Sequence, residues 1–273
     1  MREFGYVEGR NVVYDRRGLE GRYDRSEEIV ADVVRLKPDV ILIFSQGIVE
    51  RSLKVAAGVP IVMHASAAVV EMGLVRSLAR PGGTITGLLV DVDVGVESKR
   101  LELLREIIPK VKRVTFLGSD ISWDHPTGKQ VRVVAQRMGI DLSRPGISAA
   151  DFDAAYPRIE RDRPEAVFVP TGPLSFVHRE KIGQFVVANR IPCVCAHPEI
   201  AELGCLMSYG VNTIDLMRRT ADYVAKILDG AKPADLPIEQ PSKFDLVINM
   251  KSAKALGLKI PQSMLLRADR VIE

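Results

Sequence analysis

Short apolar runs alternate with amphipathic segments along the whole chain. Most of the apolar runs are continuous, as in Val40-Ile-Leu-Ile-Phe44, which is typical of strands covered on both faces. Their alternation with helical patterns predicts an α/β fold with parallel sheets and crossover helices. The predicted strands are Asn11–Arg16, Asp39–Phe44, Pro60–His64, Thr84–Val90, Arg113–Gly118, Glu165–Pro170, Ile191–Ala196, Leu206–Tyr209 and Phe244–Ile248.

Two helical segments are well marked. Leu101, Leu104 and Ile108 repeat at helical spacing, and Pro109 ends that pattern. The segment Asn212–Leu228 also has helical periodicity, with Gly230 at the C-terminal cap position. Its predicted buried stripe consists of Ile214, Met217, Ala221, Val224 and Leu228.

Composition indicates an ordinary globular protein with one or two domains. The chain has 273 residues, of which 47% are hydrophobic and 27% charged, enough for a substantial core. Lys and Arg number 38 against 35 Asp and Glu. The basic residues are scattered, whereas a nucleic-acid-binding protein usually concentrates them in a stripe. The sequence contains neither a signal-peptide pattern nor an apolar run near the ~20 residues of a membrane span.

The three cysteines lie close together in the second half of the chain. Cys193 and Cys195 alternate with Val194, so they are expected on the same side of one strand, and Cys205 follows nearby. Buried free thiols are the favoured interpretation. A metal site or a strained disulfide is the alternative, although no second cysteine pair completes a zinc set.

Polar residues follow several predicted strands at their carboxyl ends, where ligands of open parallel sheets bind. The sequence therefore predicts a ligand site, facing across a cleft between two domains. The candidate residues are Ser45, Gln46, Gly47, His64, Ala65, Ser66, Ser119, Asp120, Trp123, Thr171, His197 and Tyr209.

Each candidate also has a structural interpretation. Ser45 can simply cap a helix, and His64 can be a satisfied core histidine. Trp123, the single tryptophan, can stack on a flat solute or pack in a surface loop. Asp120 can bind an amino group or cap a helix. Tyr209 can be a ligand hydroxyl donor or a packed aromatic at a hinge.

Four segments carry a resemblance to a known family. They are Gly5-Tyr-Val-Glu-Gly-Arg-Asn-Val-Val13, Gly73-Leu-Val-Arg-Ser-Leu-Ala-Arg-Pro-Gly-Gly-Thr-Ile-Thr-Gly87, Gly204-Cys-Leu-Met-Ser-Tyr-Gly210 and Leu256-Gly-Leu-Lys-Ile-Pro-Gln-Ser263. Together they resemble the substrate-binding proteins of ABC uptake transporters, in the branch that includes binders of tryptophan and other aromatic solutes. The resemblance implies the type I periplasmic-binding-protein fold, with two doubly wound parallel-sheet domains joined by a three-crossing hinge.

The resemblance also implies an organisation and a function. One lobe would comprise residues 1–90 plus 209–241, and the other 91–208 plus 242–273. The lobes would close over a small organic solute, an amino acid or an aromatic or carboxylate compound, with neither catalytic residues nor a cofactor or metal. The implied partners are the solute and a membrane permease, in the periplasm or cell envelope. In similar proteins a small turn at Ser45-Gln46-Gly47 holds a ligand carboxylate, whereas His64-Ala65-Ser66 departs from the family pattern.

The N-terminus departs from the family as well. Relatives place a strand and a helix before the segment that starts at Gly5, so a central strand of the first lobe is expected to be missing. We expect the intact gene product to be longer. For a chain without that strand, a homodimer through the exposed strand edges is the alternative to solute binding.

Other functions are less favoured by the sequence. It contains no GxGxxG, GxxxxGK[ST], GxSxG or HExxH motif, and its four histidines lack metal-ligand spacing. All three cysteines lie in one half, which argues against a racemase-like enzyme. A ligand-sensing domain of a signalling system stays open as an alternative.

Overall fold

The computed structural model describes residues 1–19, 22–56, 58–65, 67–90, 95–241 and 243–273, without the side chains of Tyr23, Gln46, Ala67, Ala149, Ala150 and Thr213. Ten strands lie in these ranges: β1 Ile41–Ile43, β2 Ile61–Ala65, β3 Ile85–Leu89, β4 Arg113–Phe116, β5 Asp141–Ser143, β6 Ala166–Val169, β7 Cys193–Cys195, β8 Met207–Val211, β9 Phe244–Asn249 and β10 Arg270–Ile272.

The helices of the same ranges are α1 Ser26–Arg35, α2 Gln46–Ser52, α3 Gly95–Ile107, α4 Asp120–Asp124, α5 Pro126–Arg137, α6 Ala155–Asp162, α7 Pro173–Val177, α8 Arg179–Ala188, α9 Pro198–Glu202, α10 Thr213–Leu228, α11 Met250–Leu256 and α12 Gln262–Arg267. Short 3₁₀ helices cover Arg2–Phe4, Tyr23–Arg25, Ala67–Val69, Ala149–Ala154 and Pro233–Asp235. Within the described ranges, no helix is both long and apolar enough to cross a bilayer.

The chain forms two compact units, each made of two segments. Unit 1 comprises Met1–Asp93 and Thr213–Ser242, and unit 2 comprises Val94–Asn212 and Lys243–Glu273. Both units combine a sheet with helices, and the paired strands are parallel except for β8 and β9. The predicted α/β class is therefore confirmed.

Unit 1 contains a three-stranded sheet in the order β1-β2-β3. Its core includes Val30 of α1, Met63 of β2 and Ile85 of β3, and Ile238 from the second segment also joins it. That second segment continues along β3, because the Glu239 amide donates to the Gly87 carbonyl and the Glu239 carbonyl accepts from Leu89. The carboxyl ends of β1 and β2 lead directly into predicted site residues.

Unit 2 contains a seven-stranded sheet in the order β10-β9-β8-β7-β6-β4-β5. Ala166 and Phe168 of β6 join one hydrophobic cluster, while Val167 and Val169 join a second. Because successive residues of a strand point to opposite faces, the two clusters lie on the two faces of the sheet. This double burial explains why the central strands have continuous apolar sequences.

The predicted strand Asn11–Arg16 is wrong. In the described residues this segment makes one isolated bridge, between Glu8 and Val12, and belongs to neither sheet. Val13 is 88% exposed, so its side chain contributes little of the apolar burial that holds a strand in a sheet. The sequence also gave no sign of β5 and β10, because each is a three-residue edge strand with exposed positions.

The orientation of α10 differs from its predicted stripe. The buried positions are Leu216, Thr220, Tyr223, Ala225 and Ile227, whereas Ile214 is 81% exposed. Thr220 and Tyr223 take buried positions because their hydroxyl groups are hydrogen bonded, Thr220 to the Leu216 carbonyl and Tyr223 to the Pro237 carbonyl. The spacing of apolar residues along the sequence could not predict that these two polar side chains are buried and hydrogen bonded.

The predicted state of the cysteines also needs correction. Cys193 and Cys205 form a disulfide, and Cys195 is free and buried. Strands β7 and β8 are neighbours, and the Leu206 amide donates to the Cys193 carbonyl. This register brings the Cα atoms of Cys193 and Cys205 to 4.7 Å, within the range that a disulfide spans. The prediction of three free thiols therefore holds for Cys195 alone.

Candidate functional site

Ser45 and Gly47 lie where β1 leads into α2. Ser45 is the N-cap of α2, and its carbonyl accepts hydrogen bonds from the amides of Ile48 and Val49 at 3.1 Å. The Ser45 hydroxyl makes no capping hydrogen bond to α2. Gly47 is exposed in the first turn. The side chain of Gln46 and the whole of Ser66 lie outside the described residues.

His64 is buried at the end of β2, with 6% of its surface exposed. Its Nε2 lies 2.5 Å from Oγ1 of Thr220, and the ring of Phe44 meets its ring edge-on at 4.9 Å. Burial lowers the pKa of His64 to about 4, because the charged imidazolium is poorly solvated there. His64 is therefore a neutral, hydrogen-bonded group at pH 7, and its neighbour Ala65 is also buried.

Ser119, Asp120 and Trp123 form one group after β4. Ser119 caps α4 by accepting from the Ser122 amide, and Asp120 makes an ion pair with Arg144 at 2.6 Å. The Trp123 ring contacts Phe116 edge-on at 5.3 Å. The guanidinium groups of Arg132 and Arg144 lie 4.5 and 5.4 Å from its ring centre. The Trp123 ring is therefore already engaged in cation–π contacts.

Glu97 and Arg100 of α3 are buried charges that the sequence prediction missed. They are 4% and 1% exposed, and Nη1 of Arg100 lies 2.6 Å from Oε2 of Glu97. Arg100 also donates from Nε to the Tyr209 carbonyl at 2.6 Å and from Nη2 to Oγ1 of Thr171 at 2.8 Å. The Thr171 amide donates to Oε1 of Glu97 at 2.8 Å. We call Glu97, Arg100, Thr171 and the Tyr209 carbonyl the Arg100 cluster.

The Arg100 cluster joins α3 to the residues that follow β6 and to β8. Thr171 and Tyr209 were both predicted site residues, and here one guanidinium group connects them. A signal for Glu97 and Arg100 was present in the sequence, because both share the helical spacing of buried Leu104. Two charged residues of opposite sign on such a face indicate a buried ion pair.

His197 follows β7 and is influenced by the same cluster. Burial lowers its pKa to about 4, and the positive charge of Arg100 adds to that effect. A hydrogen bond to the backbone of Gly172 and the charge of Glu97 act in the opposite direction. Its Nε2 is buried without a hydrogen-bond partner, and the Phe176 ring lies 5.6 Å away in an edge-on arrangement.

The predicted residues of unit 2 thus form two groups. Thr171, His197 and the Tyr209 backbone lie around the Arg100 cluster, while Ser119, Asp120 and Trp123 form the separate group after β4. Two surface pockets of unit 2, of about 480 and 450 Å³, are lined by other residues. In the described part of the chain, no three His, Cys, Asp or Glu side chains are placed to hold a metal ion.

Comparison with known proteins places these features in a family context. The family described as ABC transporter substrate binding protein matches residues 1–272. A tyrosine-binding protein of Clostridioides difficile is 23% identical over 266 residues, covering 95% of this chain and 74% of that protein.

Two solved structures are similar over 99% of this chain. A conserved domain protein from Vibrio cholerae has 27% identity, a TM-score of 0.83 and 90% of its own length covered. The ABC domain from Streptococcus pneumoniae in complex with L-Trp has 23% identity, a TM-score of 0.82 and 92% of its length covered.

Proposed function

We propose that this chain, which belongs to the family of ABC transporter substrate-binding proteins, binds an amino acid or an aromatic or carboxylate compound and delivers it to a membrane permease. Small-solute binding and a permease partner are the properties of its family. The observation that carries the proposal is the family match over residues 1–272. Polar side chains at the carboxyl ends of the parallel strands in both units support it.

The proposed site takes residues from each unit. In unit 1 they are Ser45, Gln46, Gly47, His64, Ala65 and Ser66. In unit 2 they are Ser119, Asp120, Trp123, Thr171, His197 and Tyr209. We propose that units 1 and 2 are the two lobes of the binding protein and that closure about a hinge follows binding. The protein performs no catalytic step in this proposal and works in the periplasm or cell envelope.

The ligands of two related proteins suggest which solute to test first. The Clostridioides difficile relative is a tyrosine-binding protein and the Streptococcus pneumoniae structure contains L-Trp. We therefore propose an aromatic amino acid as the first solute to test. A homodimer remains a separate prediction, which sedimentation of the purified chain would test.

A thermal-shift screen against amino acids, aromatic acids, nucleosides and sugars tests the function. A solute that binds only the folded protein raises the free energy of unfolding by about 2.7 kcal/mol when the solute concentration is a hundred times its Kd. We expect aromatic amino acids to raise the melting temperature. A cooperative melt that no solute shifts would contradict the proposal.

Variants in the two units then test the site by calorimetry. We expect Ser45→Ala in unit 1 and Tyr209→Phe in unit 2 to weaken binding of the solute found in the screen. Ser263→Ala and Tyr14→Phe are matched controls, because both residues are exposed and lie outside the proposed site. If all four variants bound the solute as tightly as the wild type, Ser45 and the Tyr209 hydroxyl would not belong to the site.

A further inference from the structure

All three guanidinium nitrogens of Arg100 have partners inside unit 2. Nη1 forms the ion pair with Glu97, Nε donates to the Tyr209 carbonyl and Nη2 donates to Oγ1 of Thr171. The residue is 1% exposed, and a solute that bound to the guanidinium group would have to break contacts that compensate a buried charge. Arg100 is therefore not placed to touch a solute.

The partners of Arg100 lie on strands that are not neighbours. Thr171 follows β6 and Tyr209 lies in β8, while β7 separates these two strands in the sheet. No backbone hydrogen bond of the sheet therefore joins the two residues directly. Helix α3 contacts β7 and β8, and its Arg100 side chain reaches both residues. A single guanidinium group thus joins two residues of the proposed site.

Thr171 is fixed at two points by the ion pair. Its amide donates to Oε1 of Glu97 at 2.8 Å, and its Oγ1 accepts from Nη2 of Arg100 at 2.8 Å. The first bond holds the backbone, and the second favours one side-chain rotamer. Because a guanidinium group only donates hydrogen bonds, the hydroxyl hydrogen of Thr171 points away from Arg100.

Tyr209 is fixed through its backbone. Its carbonyl accepts from Nε of Arg100 at 2.6 Å, and a charged donor makes this a strong hydrogen bond. Its partner across the β8–β9 ladder is Leu246, and its ring lies 5.8 Å from the ring of Phe244. The Tyr209 hydroxyl takes part in none of these contacts, so the residue is held in place without using that group.

We propose that Arg100 and Glu97 are positioning residues for solute binding, which hold Thr171 and Tyr209 in the arrangement that a bound solute meets. This inference rests on the proposed solute-binding function. Residues that are ordered before binding give higher affinity, because less conformational freedom is lost on association. The Arg100 cluster supplies that order without touching the solute.

The first test needs no solute. The order parameter of the Thr171 methyl group, measured by carbon-13 NMR and assigned with Thr171→Val, reports how well the side chain is fixed. We expect an ordered methyl group in the wild type. Arg100→Lys keeps a positive charge beside Glu97 but lacks the planar fork that serves several acceptors at once, so the order parameter should fall. An unchanged order parameter would overturn the proposal.

The second test measures affinity by calorimetry, with L-tyrosine and L-tryptophan as probes, at a temperature where every variant is folded. Arg100→Lys is expected to bind about tenfold more weakly than the wild type, because Thr171 and Tyr209 must then be ordered on binding. Thr171→Val should also weaken binding, whereas Thr171→Ser keeps the hydroxyl group and should retain most of the affinity. Wild-type affinity of Arg100→Lys would overturn the proposal and leave solute binding intact.

The double variant Arg100→Lys/Thr171→Val shows whether Arg100 acts through Thr171. If it does, the double variant should lose less affinity than the product of the two single fold-changes, because the second change removes a contact that the first has already broken. Fold-changes that multiply would mean that the two residues act independently, which would overturn the proposal.

Two control variants separate positioning from lost stability. Lys99→Arg changes an exposed pair with Glu102 next to Arg100 in α3 and should leave affinity unchanged. Ile159→Ala truncates a core residue of α6 that is 1% exposed and belongs to the second hydrophobic cluster, so it destabilises the protein without breaking a bond of Thr171. An equal loss of affinity in Ile159→Ala and Arg100→Lys would overturn the proposal. Binding of neither probe, nor of any solute in the screen, would instead contradict the proposed function, while the NMR test still decides whether Arg100 fixes Thr171.

Discussion

Arg100 is a cation with 1% of its surface exposed, and partners from three parts of unit 2 compensate it. Burying a charge costs several kcal/mol unless it is paired and hydrogen bonded. Glu97 supplies the opposite charge, and Thr171 and the Tyr209 carbonyl use further guanidinium hydrogens. The loss of one member therefore leaves an uncompensated buried charge.

Arg100→Met is expected to destabilise the protein by about 3–5 kcal/mol, because Glu97 then keeps a buried charge without its partner. The double variant Glu97→Gln/Arg100→Met should cost less than the sum of the two single changes. Urea unfolding measures both. Lys99→Met is the control on the same helix, since its ion pair with Glu102 is exposed and its loss should cost under ~1 kcal/mol. Additive costs of the two single changes would mean that the pair is not coupled.

His64 makes stability depend on pH. Its pKa is lowered from 6.5 to about 4 in the folded protein, so between these values the unfolded state binds more protons than the folded state. Stability from His64 is thus present above pH 6.5 and is lost as the pH falls towards 4, by up to about 1.4 kcal/mol per pH unit. Urea unfolding at pH 7 and pH 5 should show a smaller difference for His64→Gln. Equal differences would indicate an ordinary pKa for this ring.

The sulfur atoms give a direct chemical test. With the chain unfolded and unreduced, a maleimide should label one thiol, Cys195, and after reduction it should label three. In the folded protein Cys195 should stay unlabelled, because burial removes access and raises its pKa to about 12. Intact-mass spectrometry counts the labels. Three labels before reduction would show that Cys193 and Cys205 are not bonded.

At the scale of elements, polar groups decide how two helices are oriented. The apolar pattern of α3 identified Leu101 and Leu104 but not the buried polar residues Glu97 and Arg100. These two residues bond with residues 74 and 109 positions away. The pattern of α10 identified the helix but placed Ile214 in its buried stripe. Both errors have one cause: hydrogen bonds and ion pairs allow polar side chains to occupy buried positions.

The orientation of α10 can be checked with two truncations. Leu216 is 7% exposed, and Leu216→Ala should cost about 2–4 kcal/mol through lost burial and a cavity. Ile214 is 81% exposed, and Ile214→Ala should change stability by under ~0.5 kcal/mol. Urea unfolding of the two variants decides between the orientations. A larger loss of stability for Ile214→Ala than for Leu216→Ala would support the buried stripe predicted from the sequence.

At the scale of the whole molecule, the two units have different sheets. The central strands β6 and β7 of unit 2 have neighbours on both sides and clusters on both faces. In unit 1, β1 is an edge strand, and Leu42 and Phe44 are 38% and 43% exposed. The continuous apolar runs predicted most of these strands. The sequence could not show their register, and the disulfide between β7 and the start of β8 depends on that register.

Hydrogen exchange should show this difference between the sheets. Amides of β6 and β7 are expected to exchange far more slowly than those of β1, because opening a doubly covered central strand exposes more apolar surface. Exchange measured by mass spectrometry on peptides from the intact chain resolves the strands. The amides of β2, the central strand of unit 1, provide the internal comparison. Slower exchange in β1 than in β7 would contradict this ranking.

The state of the three sulfurs also makes the protein suitable for site-specific spectroscopy. Two of them are bonded to each other and the third is buried, so in the folded protein only cysteines introduced on the surface would react with a label. Ile214 in unit 1 and Leu266 in unit 2 are 81% and 79% exposed. A spin label or fluorophore attached at each would report the distance between the units, with and without solute, while the native cysteines stay in place.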